Sequence, residues 1–167
     1  MDVMDVFLSG VFDNLQGGMD VVLVTGASGY LACHCVQQLL AEGYRVRGTV
    51  RSLKNAEKVQ PLRDLLPPNA PAERLQLVEA DLLQADTWPS AVENCDFVLH
   101  LASPLPSKPP DNENEVIKPA VDGTMNVLRA CAQSSSAVKR VVLTSSSLAI
   151  SCTVFLATSK NFRQLVW

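Results

Sequence analysis

Short apolar runs alternate with stretches of helical periodicity along most of the chain. Asp20 to Thr25 is a continuous β-branched run, the pattern of a strand covered on both faces. Gly26 to Gly29 predicts a tight turn. From Ser28 to about Glu42, apolar residues recur at four-residue spacing (Leu31, Cys35, Leu39 and Ala32, Val36, Leu40), which is one face of a helix. Gly43 suits its C-terminal stop. The pattern then predicts a strand over Tyr44–Val50 and a helix over Ala56–Leu66 whose regularity Pro61 limits. Pro67, Pro68 and Pro71 mark a loop. A strand over Leu75–Ala80, a short helical turn over Asp86–Val92 and a strand over Asp96–Leu101 follow. A proline-rich loop spans Pro104 to Pro110. A long helix over Glu115–Ala132, with Pro119 as a candidate kink, leads to a last strand over Lys139–Thr144.

Strands alternating with helices imply a parallel sheet with right-handed crossovers. Five strands in this rhythm fit an α/β, doubly wound (Rossmann) fold with strand order 3-2-1-4-5. Ligands of such sheets sit beyond the carboxyl ends of the strands, where the order reverses. The residues just after each strand are therefore the ones to weigh.

Composition narrows the class. The length of 167 residues suits one domain, and 47% hydrophobic residues suit an ordinary packed core. A net charge of −3 speaks against a nucleic-acid surface, and no apolar run is long enough for a membrane span. The first basic residue is Arg45, so a secretory or organellar leader is not expected, and the reading is cytoplasmic. Residues 1–18 read as a loosely held leader or a short apolar docking segment, 19–150 as the Rossmann domain, and 151–167 as a divergent tail. Five cysteines at irregular spacing are expected as thiols. Cys33-His34-Cys35 points its side chains about 100° apart on a helix, and no second ligand pair follows, so no metal site is expected.

Chemistry gathers at the strand ends. Gly26 lets the chain turn sharply off the first strand, and Gly29 removes a side chain where a diphosphate would approach. The N–H groups opening the next helix would face that anion. At the end of the second strand stands Arg51, followed by Lys54 and Lys58. A carboxylate here would suit the ribose hydroxyls of NAD. A guanidinium fork suits a 2′-phosphate instead, although a solvated surface arginine would read the same way. Asp81-Leu82 after the third strand can meet an adenine, or Asp81 can cap the following helix. Ala102 and Ser103 are small residues beside the fourth strand's end. Thr144–Ser147 offers hydroxyls to a substrate oxygen, or is simply a polar strand end. His100, inside a strand, is expected as a hydrogen-bonded core histidine and not as a catalytic base.

The segments Thr25–Ala32, Val46–Arg51, Asp81-Leu82, Val98–Pro104, Ile117–Cys131 and Val138–Ser146 together resemble extended short-chain dehydrogenase/reductases. Within them, Arg47–Arg51 and Pro119–Leu128 are similar to the branch of dihydroflavonol reductases, cinnamoyl-CoA reductases and methylglyoxal-type aldehyde reductases. The resemblance covers residues 20 to 150. It implies that Gly26, Ser28, Gly29, Tyr30 and Leu31 bind the cofactor's phosphates and that Arg51 and Lys58 hold the 2′-phosphate of NADP(H), favoured over NAD(H). It further implies that Asp81 and Leu82 take the adenine, that Ala102 and Ser103 line the ribose and diphosphate path, and that Ser146 is the catalytic serine. A small-molecule carbonyl compound is the implied substrate. Two departures stand out. Ala32 occupies a position where a third glycine often stands. The family's Tyr-x-x-x-Lys helix is not found, because the chain's tyrosines are Tyr30 and Tyr44, both upstream of Ser146. The resemblance thus implies a fold incomplete relative to the family and a truncated chain, read as a carbonyl reductase of low turnover, as a non-catalytic NADP(H)-binding module or regulatory isoform, or as a poorly folding product.

Overall fold

The computed structural model describes residues 20–146 except 105, 107, 109 and 135–137. The leader and tail read from the sequence lie outside the described residues. Five strands form one parallel sheet: β1 (Val21–Val24), β2 (Arg45–Val50), β3 (Leu75–Glu79), β4 (Phe97–His100) and β5 (Arg140–Leu143). Their order is β3-β2-β1-β4-β5, as the alternation of elements predicts. β1 is central, with Val22 level with Val46 on β2 and with Phe97 on β4. Helices α1 (Tyr30–Ala41), α2 (Ala56–Arg63), α3 (Trp88–Val92) and α4 (Asn114–Gln133) connect the strands.

The strand pleat sorts the core into two layers. Val22 and Val24 of β1 join Phe97 and Leu99 of β4 on one face, where Val36, Leu39 and Leu40 of α1 and Val59 and Leu62 of α2 cover them. Leu23 and Val98 point to the other face, against Trp88 and Val92 of α3 and Val127 and Cys131 of α4. Each fully buried aliphatic side chain contributes roughly 1.5–3 kcal/mol, so both faces hold the sheet. This is why β1 reads as a continuous apolar run.

Among the element ends that differ from the sequence pattern, two have a clear local cause. α1 begins at Tyr30, not Ser28, because Gly26–Gly29 closes on itself with the Gly29 N–H donating to the Gly26 carbonyl at 2.8 Å. α2 stops at Arg63, and Leu65 and Leu66 make tighter three-residue bonds to Leu62 and Arg63, since a residue before proline disfavours the helical region. α4 runs through Pro119 without interruption. Gly43 does stop α1: at φ +95° it donates to Leu40 while Tyr44 donates to Leu39, a Schellman closure.

At the opposite end of the sheet from the strand carboxyl termini, Lys139 bridges Asp96 at 2.9 Å and Asp20 at 3.1 Å. Asp96 also accepts the Val21 N–H at 2.9 Å. Burial works against ionisation of Asp96, but that N–H and the ammonium outweigh it and hold the carboxyl below its usual range.

Candidate functional site

A cleft of about 710 Å³ opens where β1 and β4 part and their connections leave in opposite directions. Small-molecule sites span roughly 300–1,000 Å³, so the size is apt. One wall is the turn Gly26, Ser28, Gly29 with Tyr30 and Leu31 opening α1. Gly26 has φ +63°, and a Cβ there would lie 3.0 Å from that of Ala102. Only glycine permits both the turn and this contact. Gly29 caps α1 without a side-chain acceptor. The N–H groups of the first turn therefore lack both intrahelical partners and a cap, and they face the cleft at the positive end of the helix.

Two threonines hold this turn against the neighbouring strands. Thr49 on β2 accepts the Gly26 N–H at 2.9 Å through its hydroxyl, and its carbonyl accepts the Ala27 N–H at 2.9 Å. Thr25 accepts the N–H groups of Leu101 and Ala102, each at 3.0 Å, through one hydroxyl oxygen. That oxygen lies 2.9 Å from His100 Nδ1. With both lone pairs taken, the Thr25 hydroxyl must donate its proton to Nδ1, which fixes the imidazole as the neutral Nε2–H tautomer. Burial agrees, pushing the His100 pKa down to about 4. His100 is thus the core histidine expected from the sequence, with a role in fixing the β4 loop to the β1 turn.

Arg51, exposed at the end of β2, lines the cleft and has no ion-pair partner among the described residues. Arg47, two turns of pleat earlier, is engaged elsewhere: its guanidinium donates to Gln76 at 2.8 Å and to the carbonyls of Ala91 and Glu93. Lys58 does not line the cleft. It sits exposed on α2, where its charge reaches Cys33; burial still raises that thiol's pKa overall. Asp81 and Leu82 lie on the cleft wall. Asp81 does not cap a helix: its Oδ1 accepts the Leu83 N–H at 2.9 Å, an Asx turn, while its carbonyl takes the Trp88 indole N–H at 2.9 Å. Ala102 and Ser103 also line the cleft. Ser146 lies three residues past β5, at the same end of the sheet but outside the lining, and it is exposed.

Sequence reasoning missed the residues that position others. Thr25, Thr49 and His100 act across 23 to 77 positions of sequence. α4 contributes more: Asn126 Nδ2 donates to the Leu82 carbonyl at 2.8 Å, and Gly123 leaves room for Leu82, whose Cβ would lie 3.1 Å from an added Cβ. Glu115 and Pro119 of the same helix also line the cleft. A buried hydroxyl just past a strand's end, next to a glycine turn, is the one local signal that could have marked Thr25. Among the described residues no group of three or more His, Cys, Asp or Glu side chains is placed to hold a metal, and no helix is long and apolar enough to cross a membrane.

A parallel sheet in this order, with a glycine turn at the switch point and an open helix start, defines a dinucleotide-binding α/β domain. Comparison with known proteins makes the class specific. Residues 22–152 match the NAD dependent epimerase/dehydratase family, and the chain belongs to that family, the extended short-chain dehydrogenase/reductases. It is 48% identical over 126 residues to tetraketide alpha-pyrone reductase 1 of Arabidopsis thaliana, covering 75% of this chain and 37% of that protein. It is 47% identical over 131 residues to cinnamoyl-CoA reductase CAD2 of Medicago truncatula, covering 78% and 39%. The fold is similar to that of Gre2 from Candida albicans in its complex with NADPH, with a TM-score of 0.66 and 38% identity over 78% of this chain and 38% of that one. The chain therefore spans less than two-fifths of the length of these curated relatives.

Proposed function

We propose that this domain binds NADP(H) as the cofactor-holding part of a carbonyl reductase that acts on a small aldehyde or ketone. The observation that carries the reading is one cleft holding both the open amides at Tyr30 and Leu31 and the unpaired guanidinium of Arg51. The amides suit a diphosphate, and the guanidinium suits an added 2′-phosphate beside it. Asp81 can accept from an adenine amino group, with Leu82 against the ring. Gly26 and Ala102 leave the diphosphate path free of bulk. Lys58, exposed on α2, adds positive charge. A bound nicotinamide would supply the hydride. Ser146, at the carboxyl end of β5, would donate its hydroxyl proton to a substrate carbonyl oxygen as charge develops there. NADPH-bound Gre2 and the reductase relatives support this reading.

Fluorescence titration with NADPH and NADH tests the reading. The native chain should bind NADPH at least tenfold more tightly than NADH. Arg51→Ala should abolish that difference by weakening NADPH alone, since bonds to charged groups contribute about 1.5–3 kcal/mol. Equal affinities in the native chain, or unchanged NADPH binding by the variant, would overturn it.

A further inference from the structure

α4 carries a proline where a helix least tolerates one. Pro119 is the sixth residue of Asn114–Gln133, beyond the first turn, where a missing N–H costs nothing. In a regular helix the N–H of residue 119 would close on the carbonyl of Glu115. Proline has no such proton, and its ring pushes that carbonyl outward. Residues four apart share a helix face, and both Glu115 and Pro119 line the cleft. The carbonyl released by the proline thus lies on the side of α4 that borders the cleft.

The Glu115 side chain is occupied elsewhere. Its two carboxylate oxygens accept the Asn112 Nδ2–H at 2.7 Å and the Asp111 N–H at 3.2 Å, which tie it into the turn that starts the helix. What the pair offers the cleft is an uncharged acceptor with a carboxylate close by. That combination repels phosphate and suits a neutral O–H or N–H donor. One helical turn further along the same face, Gly123 packs on Leu82, so the acceptor stands in line with the wall assigned to the adenine.

The geometry points to the Glu115 main-chain carbonyl, released by Pro119, as a ligand-binding acceptor that takes a hydroxyl or carboxamide donor of the bound dinucleotide. This rests on the NADP(H) reading above. It assigns Pro119 a function that its helical position opposes: fold stability is given up at one residue to expose an acceptor in the site.

Glu115-Val116 is the only Glu-Val pair in the chain, so labelling glutamate carbonyls with ¹³C and valine nitrogens with ¹⁵N isolates a single resonance for the Glu115 carbonyl. NADPH added to the native chain should move that resonance downfield, as a new hydrogen bond to the carbonyl requires. In Pro119→Ala the restored N–H should place it downfield before any ligand is added, and NADPH should then leave it there. The variant should unfold at higher urea concentration yet bind NADPH about fivefold more weakly, the equivalent of one neutral hydrogen bond. A Glu115 carbonyl unmoved by saturating NADPH, or a stabilised Pro119→Ala chain that binds NADPH as tightly as the native one, would overturn the inference while leaving the cofactor reading intact. Failure of the native chain to bind NADPH would overturn both.

Discussion

The bond between Thr25 and His100 makes a quantitative prediction about acid. His100 is 1% exposed, neutral, and accepts the Thr25 proton at Nδ1. Its pKa falls from 6.5 to about 4 on folding. As pH drops below 6.5 the unfolded chain takes up a proton on this imidazole and the folded chain does not. The unfolded state then binds more protons, so stability falls with falling pH until the folded pKa is reached. The difference of about 2.5 units corresponds to roughly 3 kcal/mol in all, with about 1.4 kcal/mol lost by pH 5.5 and about 2.5 by pH 4.5. Urea unfolding followed through the fluorescence of the buried Trp88 at pH 7.5, 6.5, 5.5 and 4.5 measures this. His100→Asn keeps an acceptor near the Nδ1 position but has no proton to take up. It should be less stable than the native chain at pH 7.5, by about 1–3 kcal/mol for the lost volume, and should lack the slope between pH 6.5 and 4.5. Carboxylates titrate alike in both proteins, so the difference between the two curves isolates His100. Curves that stay parallel within about 0.5 kcal/mol across that range would refute a buried neutral imidazole.

Other perturbations separate the parts of the site. Gly26→Ala puts a side chain at φ +63° and against Ala102; it should cost about 1–3 kcal/mol in urea unfolding and reduce NADPH affinity at least tenfold by titration. Asn126→Ala removes the donor to the Leu82 carbonyl, which should cost about 1–2 kcal/mol and loosen the adenine wall, weakening NADPH and NADH to the same degree. Asp96→Asn removes a carboxylate whose pKa is held low in the folded state. The native chain holds that contribution above the unfolded carboxyl's pKa and loses it as pH falls through the folded value. The variant should therefore be less stable at pH 7 and should converge on the native chain only in strong acid, as seen by circular dichroism across a pH series.

How much of this was legible in the chain depends on how far each residue reaches. Val21–Val24, the α1 face and Gly43 declare themselves within a dozen residues, and the strand order follows from the alternation of elements. The cleft turn was legible because glycines at 26 and 29 have few other uses between a strand and a helix. Lys58 stands exposed on α2 outside the cleft lining, which a count along the sequence from Arg51 does not give. Asp81 was read as a possible helix cap because an Asx turn has the same local spelling. His100, Thr25 and Thr49 looked like ordinary buried strand residues. Their role arises only when β1, β2 and β4 lie side by side. Pro119 was noticed as an irregularity in a helix, and only its place on the cleft wall gives the irregularity a purpose.

The central position of β1 also sets an order of assembly. β1, β2 and β3 can pair as soon as the first half of the domain exists, through connections of about twenty to thirty residues. β4 must return to the far side of β1 across some seventy-five residues, a closure that costs about 1 kcal/mol more. The cleft has a wall on each side of that seam: the half-sheet carries the Gly26 turn, Arg51 and Asp81 but lacks the facing wall at Ala102, Ser103, Glu115 and Pro119. Tight capture of ligand by a newly synthesised chain would then report that β4 has docked on β1.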